Sequence, residues 1–275
     1  MIFSPDENIG SSKLQKRYNL NSQHLLVHSI FSTFQGEAPY AGRSAVFLRL
    51  GGCNRGAKNL SCLFCDTAFE HGKSERISVE EVASHIASLE GPKHELLVIT
   101  GGEPLMQQEA LNSLGQEIYN DKLPTFLQIE TNGDFEAKPI LNQGTYFNIV
   151  CSPKAWDGID RPYKSLKIQD EFVCSYRCII SATQKEYQQV PEQIVQRCKE
   201  KNWFSDEEGL FLSPITVYYS DSTAQERYKG WTGSAIDKQA TSLNYEAAVN
   251  EALRLNRMGI RVRLSAQTHL LFSIP

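Results

Sequence analysis

Three cysteines lie close together in the first quarter of the sequence, at Cys53, Cys62 and Cys65. Ordinary ferredoxin-type [4Fe–4S] clusters are held by four cysteine thiolates. Three thiolates in one loop can therefore hold three irons and leave the fourth iron open to a small molecule. S-adenosylmethionine can bind such an iron through its amino and carboxylate groups and be cleaved reductively. The cysteine loop thus predicts a cluster that works with S-adenosylmethionine.

Other chemistries also fit cysteines at this spacing. Cys62 and Cys65 could chelate zinc, with Cys53 and His71 completing a Cys3His site, or form a redox-active pair. The three cysteines could also be unrelated buried residues. The loop lacks a second close pair of ligands, which favours the cluster over zinc. Phe64 could then offer its backbone edge and apolar face to an adenine ring.

Three further motifs carry groups suited to binding. The turn at 100–104 (Thr-Gly-Gly-Glu-Pro) allows close backbone approach to a ligand, and Glu103 could help to bind an amino group. Glu130 and Asn132 in Glu-Thr-Asn-Gly could bind ribose hydroxyls or a methionyl amine. Ser-Pro-Lys at 152–154 is similar. Each has a plainer interpretation, as a structural turn for the first, an Asn-Gly turn for the second and a solvated lysine for the third.

Alternating strands and helices are predicted to position these motifs. Apolar runs indicate strands, and amphipathic periodicity indicates helices. Ser78 and Glu81 form a capping-box pattern, while Asn244 is expected to cap the last helix, which Gly259 ends. The predicted strands are 24–34, 44–50, 96–100, 125–130, 147–151, 176–181, 210–215 and 260–264, and the predicted helices are 79–89, 105–119, 191–201 and 244–258. This alternation is typical of a parallel sheet covered by helices.

Each motif directly follows a predicted strand. The cysteine loop follows 44–50, the Thr-Gly-Gly-Glu-Pro turn follows 96–99, and Glu-Thr-Asn-Gly follows 126–129. Ser152-Pro153-Lys154 and Ser213-Pro214-Ile215-Thr216 are placed in the same way. Functional groups of parallel α/β folds lie at the carboxyl ends of the strands. The shared placement therefore predicts a common site for these motifs.

Composition sets the broad class of the protein. The chain has 275 residues, 41% hydrophobic and 22% charged, with a net charge of -4, which is an ordinary globular profile without the basic charge of a nucleic-acid binder. We expect no membrane span, because no apolar run is long enough. Residues 1–22 are expected to be a polar leader without a secretory core, which indicates a cytoplasmic protein. Residues 219–242 are expected to form a long loop or insertion.

The cysteine count argues against a disulfide framework. Seven is an odd number, and a chain of this size does not need such a framework. Cys151, Cys174, Cys178 and Cys198 lie in predicted strands and helices. We interpret them as small buried hydrophobes, with Cys174 and Cys178 as a less favoured second metal pair.

The sequence resembles the radical S-adenosylmethionine superfamily in its Cys-x-Phe-Cys loop and its Thr-Gly-Gly-Glu-Pro turn. More closely, it resembles the 7-carboxy-7-deazaguanine synthase family. The matching segments are Phe34–Glu37, Arg49 in Phe47–Leu50, Cys65–Thr67, Ile99–Pro104, Glu130–Gly133, Ser152–Lys154, Leu264–His269 and Ile274–Pro275. The resemblance implies an α/β incomplete (βα) barrel of the radical S-adenosylmethionine type, formed as a single domain over 23–275.

The resemblance also implies an activity, that of a carbon–nitrogen lyase in queuosine-precursor biosynthesis. A 5′-deoxyadenosyl radical would convert 6-carboxy-5,6,7,8-tetrahydropterin to 7-carboxy-7-deazaguanine and ammonia, with Mg²⁺ as a further cofactor. A flavodoxin or ferredoxin would donate electrons to what would be a homodimer. Three alternatives stay open: a radical-generating activase of a partner enzyme, a zinc-binding non-enzymatic module, and a superfamily member with another small substrate.

Residue roles follow from the same resemblance. Cys53, Cys62 and Cys65 would hold the cluster, and Thr67 would bind Mg²⁺. Together with Phe64, Glu130 and Asn132, the residues expected to bind S-adenosylmethionine are Gly102, Ser152, Pro153, Lys154, Ser213, Pro214, Ile215 and Thr216. The residues expected to bind the pterin are Phe34, Gln35, Gly36, Arg49, Thr100, His269 and Pro275, the last through its terminal carboxylate.

Two departures from the family pattern concern the site. Eight residues separate Cys53 from Cys62, whereas most superfamily members have three at this place. The 7-carboxy-7-deazaguanine synthase family is known for a variable first spacing. Ser213 stands where the family usually has glutamine.

Overall fold

A computed structural model describes residues 16, 19–55, 62, 74–89, 96–120, 126–137, 146–154, 166–201, 203, 208–222 and 233–268. Predictions for Phe64, Cys65, Thr67, His269 and Pro275 lie outside the described residues and stay predictions. The chain divides into two compact units. The first comprises Met1–Thr33, Arg43–Ile149 and Lys167–Phe172, and the second comprises Phe34–Gly42, Val150–Leu166 and Val173–Pro275.

The first unit is built on a sheet with the strand order β3-β1-β2-β4-β5. These strands are β1 (His24–Phe34), β2 (Ser44–Leu50), β3 (Glu75–Ser78), β4 (Leu96–Gly101) and β5 (Phe126–Thr131). β2, β4 and β5 are parallel, with Leu48 opposite Ile99 and Ile99 opposite Ile129. Their apolar side chains are almost entirely buried, as expected for strands covered on both faces. β3 is antiparallel to β1 and was missed in the sequence because it has only four residues.

Helix α1 (Val79–Ser88) confirms the predicted capping box. The Ser78 hydroxyl accepts a hydrogen bond from the Glu81 backbone N–H, while the Glu81 carboxylate accepts one from the Ser78 backbone N–H. This reciprocal pair satisfies two N–H groups at the start of the helix. The helix buries Val79, Val82 and Ile86.

Helix α2 begins later than predicted. Residues Pro104–Gln107 form a 3-10 turn, and the α-helix covers Gln108–Asn120. The Glu103 side chain caps the 3-10 turn by accepting a hydrogen bond from the Leu105 backbone N–H at 3.0 Å. The segment after Glu103 therefore begins with a 3-10 turn, which is wound more tightly than an α-helix.

The second unit has parallel strands in the order β7-β8-β9, with Cys178 opposite Leu212 and Leu212 opposite Leu264. The strands are β7 (Val173–Ile180), β8 (Gly209–Pro214) and β9 (Val262–Leu264), and the helices are α3 (Glu192–Glu200) and α4 (Lys238–Arg257). β6 (Tyr146–Cys151) begins in the first unit and ends in the second. Strand–helix alternation is thus confirmed, with ends that differ by a few residues.

The predicted start of the last helix is wrong. Asp237, not Asn244, is the N-cap, and its carboxylate accepts a hydrogen bond from the Ala240 backbone N–H at 2.9 Å. The predicted loop over 219–242 is therefore too long at its carboxyl end. Tyr218 and Ile236 also form an isolated antiparallel bridge. The sequence did not reveal the earlier start of the helix because most residues of 238–243 are exposed and the segment lacks a clear apolar stripe.

Asn244 instead lies buried within α4 and joins this helix to two loops. Its side-chain oxygen accepts a hydrogen bond from the Ala182 backbone N–H at 2.7 Å, and its nitrogen donates to the Ile215 carbonyl at 2.7 Å. These loops follow β7 and β8. The residue thus fixes α4 against the carboxyl ends of two strands.

Candidate functional site

The Thr-Gly-Gly-Glu-Pro turn is in backbone contact with the segment that carries Cys53. The Gly102 N–H donates to the Leu50 carbonyl at 2.9 Å, and the Glu103 N–H donates to the Gly52 carbonyl at 2.8 Å. A Cβ atom added to Gly102 would lie 1.7 Å from the Gly52 oxygen. Glycine is therefore required here for the close approach of two protein segments.

Glu103 joins this turn to the Glu-Thr-Asn-Gly motif. One carboxylate oxygen accepts hydrogen bonds from the Thr131 hydroxyl at 2.6 Å and the Leu105 N–H at 3.0 Å, and the other accepts from the Asn132 N–H at 2.8 Å. Glu103 is 1% exposed. The suggestion that it meets a ligand amine is not supported, because both oxygens are bonded inside the protein.

The electrostatics of Glu103 follow from its burial. Burial raises the pKa of Glu103 to about 7, although the hydrogen bonds from Thr131, Asn132 and Leu105 lower it in part. Desolvation disfavours the charged form of a carboxylate. Glu103 therefore carries a proton at a much higher pH than an exposed glutamate.

A polar network links the residues after Cys53 to the loop after β5. Asn132 Nδ2 donates to Asn54 Oδ1 at 2.9 Å, and Asn54 Nδ2 donates to Asp134 Oδ2 at 2.8 Å. Arg55 Nε donates to the same Asp134 oxygen at 3.0 Å. The amide of Asn132, predicted to bind the cofactor, is therefore used at least partly inside the protein.

Three predicted binding residues lie together on β2, β4 and β5. Arg49 is opposite Thr100 in the parallel register, and the Thr100 hydroxyl donates to Glu130 Oε2 at 3.2 Å. Gln128 Nε2 donates to the other Glu130 oxygen at 3.0 Å. The Arg49 guanidinium lies 5.2 Å from the centre of the Phe31 ring, a cation–π distance. The structure thus brings Arg49, Thr100 and Glu130 to one face.

Arg49 also affects a histidine in the first unit. The pKa of His28 is lowered, chiefly by burial and then by the positive charge of Arg49. A neutral imidazole is therefore favoured beside this guanidinium.

In the second unit, the predicted substrate residue Gly36 and the nearby Ala38 contact the segment 265–268. The backbone N–H and hydroxyl of Thr268 both donate to the Gly36 carbonyl, at 3.1 and 2.9 Å. The Ser265 hydroxyl accepts from the Ala38 N–H at 2.7 Å. Gln35 is buried and accepts from the Glu37 N–H at 3.2 Å, whereas Phe34 is 51% exposed.

The remaining predicted cofactor residues lie directly after β6 and at the carboxyl end of β8. Lys154 Nζ donates to the Ser152 hydroxyl, and Pro153 is buried. Ser213, Pro214, Ile215 and Thr216 are buried. The Thr216 hydroxyl donates to the Gln267 side chain. Ser213 Oγ makes no hydrogen bond to another described residue.

The cysteines separate into two classes. Cys151, Cys178 and Cys198 are buried, as predicted, whereas Cys53 and Cys62 are partly exposed. The prediction that Cys174 is buried is wrong, because this residue of β7 is also partly exposed. Burial raises the pKa of the Cys178 thiol well above its ordinary range, and the nearby Cys198 and Cys151 add to this shift. A cysteine must lose its proton to bind a metal. The raised pKa of Cys178 therefore does not favour Cys174 with Cys178 as a metal pair, and Cys53 and Cys62 stay the predicted cluster ligands among the described residues.

Sequence reasoning missed several supporting residues. Gln107 accepts from the Leu26 N–H at 2.7 Å and donates to the Gly51 carbonyl at 3.0 Å, so it fixes the start of the cysteine loop. Asp134 directly follows Glu-Thr-Asn-Gly, and Arg55 lies two residues after Cys53. Their positions next to these motifs could have identified both residues from the sequence. Glu37 also belongs to a motif, but nothing in the sequence pointed to Arg177 as its ion-pair partner.

Comparisons with known proteins decide the family. A family model described as a 4Fe-4S single cluster domain matches residues 41–140. A 7-carboxy-7-deazaguanine synthase of Rickettsia prowazekii is 32% identical over 256 residues, which cover 91% of this chain and 88% of that relative. The chain belongs to the 7-carboxy-7-deazaguanine synthase family. A synthase from Hyperthermus butylicus is 42% identical over 134 residues, but this match spans only 52% of that relative.

A solved structure supports the family's fold. The crystal structure of QueE from Escherichia coli covers 88% of this chain and 93% of its own, with a TM-score of 0.55 and 19% identity. At this identity the likeness concerns the fold alone. The predicted fold class, an α/β incomplete (βα) barrel of the radical S-adenosylmethionine type, is confirmed.

Proposed function

We propose that this member of the 7-carboxy-7-deazaguanine synthase family is a radical S-adenosylmethionine enzyme and a carbon–nitrogen lyase. It converts 6-carboxy-5,6,7,8-tetrahydropterin to 7-carboxy-7-deazaguanine and ammonia, a step in 7-deazapurine and queuosine-precursor biosynthesis. The observation that carries this function is the match to the Rickettsia prowazekii synthase over 91% of this chain and 88% of that relative. It favours the lyase over an activase or a zinc-binding module.

The enzyme uses a [4Fe–4S] cluster and S-adenosylmethionine. Cys53, Cys62 and Cys65 are proposed to hold the cluster. Support comes from the partial exposure of the Cys53 and Cys62 thiols and from the 4Fe-4S match over 41–140. When bound, the cluster and S-adenosylmethionine supply one-electron radical chemistry. The protein supplies binding, orientation and exclusion of water.

Arg49, Thr100 and Glu130 are proposed to hold polar groups of the ligands in the first unit. A guanidinium can pair with a substrate carboxylate through two parallel hydrogen bonds. Thr100 and Gln128 each donate to Glu130, one to each oxygen. These two bonds fix the orientation of the Glu130 carboxylate, and Glu130 is partly exposed whereas Glu103 is buried. Gly102 and Asn132 support the neighbouring cysteine segment, and Phe64 is proposed to face adenine.

The second unit is proposed to contribute the remaining binding groups. Phe34, Gln35 and Gly36 bind the pterin, and the contacts of Gly36 with Thr268 support a defined backbone there. The residues proposed for S-adenosylmethionine are Ser152, Pro153, Lys154, Ser213, Pro214, Ile215 and Thr216. Thr67 as the magnesium ligand, and His269 and Pro275 as substrate ligands, rest on the family resemblance.

The setting of the enzyme is also a proposal. In the described part of the chain, no helix combines the length and apolarity that a bilayer crossing needs. Thiolates that hold a cluster suit a reducing cytoplasm. Four further proposals rest on sequence reasoning and on the family resemblance. They are a flavodoxin or ferredoxin as electron donor, a homodimer, the absence of a nucleic-acid partner, and a single domain over 23–275.

Anaerobic reconstitution tests the function. The protein would be loaded with iron and sulfide, then incubated with dithionite, S-adenosylmethionine, Mg²⁺ and 6-carboxy-5,6,7,8-tetrahydropterin, and products would be identified by mass spectrometry. We expect 7-carboxy-7-deazaguanine from the wild type and from Cys198→Ala, a buried cysteine outside the loop, but not from Cys53→Ala. Formation of 5′-deoxyadenosine alone would refute the substrate. Bound zinc without iron or sulfide would refute the function altogether.

A further inference from the structure

Cys53 is the first of three proposed ligands and is followed by an unusually long spacer. Eight residues separate it from Cys62, and a longer loop raises the entropy lost when its ends are held together. The two residues after Cys53 are nevertheless buried, with Asn54 8% and Arg55 2% exposed. Burial of an asparagine and an arginine at the start of a long spacer calls for partners in the protein.

Asp134 is that partner. Its Oδ2 atom accepts hydrogen bonds from Asn54 Nδ2 at 2.8 Å and Arg55 Nε at 3.0 Å, and a longer contact of 3.5 Å joins Arg55 Nη2 to Oδ1. The side chains of Arg55 and Asp134 are 3% and 10% exposed. A carboxylate that accepts from a guanidinium in a dry environment makes a strong, directional contact.

We propose that Asn54, Arg55 and Asp134, called here the Asp134 anchor, are positioning residues that hold Cys53 in place for the cluster. The proposal rests on the proposed function, because it assigns a task toward the cluster. The anchor restrains the chain directly after Cys53, at the first two residues of the spacer. Six residues instead of eight then remain before Cys62.

Cys53 is thereby restrained from both sides. On its amino side the Gly52 carbonyl accepts from the Glu103 N–H at 2.8 Å. On its carboxyl side the anchor binds the two following residues, and Asn132 adds a bond to Asn54 at 2.9 Å. Cys53 itself stays partly exposed, with its Sγ atom 3.9 Å from Asn54 Oδ1. Fixed backbone on both sides of a partly exposed cysteine is the arrangement that preorganises a metal ligand.

Chelator challenge of the reconstituted full-length protein tests the anchor. Asp134→Ala, Arg55→Ala and the double variant would be compared with the wild type. The measurements are iron and sulfide per chain, the rate of iron loss to a chelator, the electron paramagnetic resonance of the reduced cluster, and the melting temperature of the apoprotein. We expect at least tenfold faster iron loss from both single variants. The double variant should be no worse than Asp134→Ala, because the two side chains act as one unit.

Two further variants separate positioning from general stability. Arg254→Ala removes another arginine–carboxylate pair, in which Arg254 Nε donates to Glu251 at 2.7 Å, and we expect it to leave iron loss unchanged. Arg55→Lys keeps the charge without the guanidinium geometry and should restore iron retention in part. Asp134→Asn keeps the shape and one acceptor, so we expect it to lose iron more slowly than Asp134→Ala. Arg55→Ala serves if Asp134→Ala fails to fold.

The outcomes distinguish the anchor from the function. Iron loss within twofold of the wild type in folded Asp134→Ala, or in folded Arg55→Ala if Asp134→Ala does not fold, would overturn the anchor and leave the proposed function intact. Equal acceleration in Arg254→Ala would also overturn it, because the effect would then be general destabilisation. A wild-type protein that takes up no iron–sulfur cluster would overturn both proposals.

Discussion

Glu103 is a carboxylate whose surroundings make it respond to pH. The residue is buried and accepts three hydrogen bonds, yet its pKa is raised to about 7 from an ordinary value of 4.5. The folded protein therefore binds a proton that the unfolded chain has lost across this range. Stability falls with rising pH wherever the folded state holds more protons than the unfolded chain. The contribution of Glu103 is therefore fully present below pH 4.5 and is lost as pH rises through 7.

We predict that the free energy of unfolding of the apoprotein falls by about 3 kcal/mol between pH 4.5 and 7.5 through Glu103 alone. Urea unfolding would be measured for the wild type and for Glu103→Gln at several pH values. The difference between their free energies of unfolding at each pH isolates Glu103, because titrations that both proteins share, such as that of His28, cancel. The part of the pH dependence that comes from Glu103 should be absent in Glu103→Gln. Parallel pH profiles for the two proteins would contradict the raised pKa.

Gly102 allows a close approach that no side chain permits. An added Cβ would meet the Gly52 oxygen at 1.7 Å, so Gly102→Ala must separate the Thr-Gly-Gly-Glu-Pro turn from the Cys53 segment. We expect a loss of roughly 3 kcal/mol or more, typical of overpacking and broken backbone bonds together, and loss of cluster binding. Both would be measured by denaturant unfolding and iron analysis.

Gly259→Ala is the matched control. Gly259 has a φ of +79° with open space around its Cβ position, so alanine adds backbone strain without a clash. We expect a cost of about 1 kcal/mol and normal iron content. Equal effects of the two substitutions would argue against the steric role of Gly102.

At the scale of elements, Asn244 tests how α4 is held. Its amide accepts from the Ala182 N–H and donates to the Ile215 carbonyl, so both of its functional ends are needed. Asn244→Asp keeps the acceptor but turns a donor into a charge that faces a carbonyl. We predict a loss of roughly 2–4 kcal/mol in the free energy of unfolding, the range expected for an unpaired buried polar group.

Asp237→Asn provides the comparison at the true N-cap. Asparagine caps helices about as well as aspartate, so we expect a change of less than about 0.5 kcal/mol there. If Asn244→Asp were equally mild, Asn244 would not be the link between α4 and the strand ends. Since Ile215 belongs to the segment proposed for S-adenosylmethionine, a weaker affinity for that cofactor should accompany the loss of stability.

At the scale of the whole molecule, the two units should respond differently to cluster removal. Cys53, Cys62 and the described groups that support Cys53 all belong to the first unit. A bound group stabilises the folded state that binds it, and local opening reports this stabilisation region by region. We predict that chelating the iron lowers hydrogen-exchange protection in β4 and β5 more than in β7 and β8. Equal losses in both sets of strands would contradict this localisation.

Several features of this protein could be determined from the sequence. The strands and helices follow from hydrophobic periodicity, and the capping box at Ser78 follows from local spacing. The cysteine loop and the strand-end motifs indicated the cluster chemistry and the family, because the residues of each motif are close together in the chain. The predicted start at Asn244 failed because a capping residue and a buried asparagine look alike without knowledge of their partners.

Contacts between distant residues could be decided only by the tertiary structure. Gln107 binds Leu26 across 81 positions, and Asn54 binds Asp134 across 80. The raised pKa of Glu103 likewise depends on burial by segments far apart in sequence. Local pattern reports which face of an element is apolar, but it does not report which distant polar group meets a given side chain. The residues that could carry chemistry were therefore visible in the sequence, while the bonds that hold Cys53 in place came from the fold.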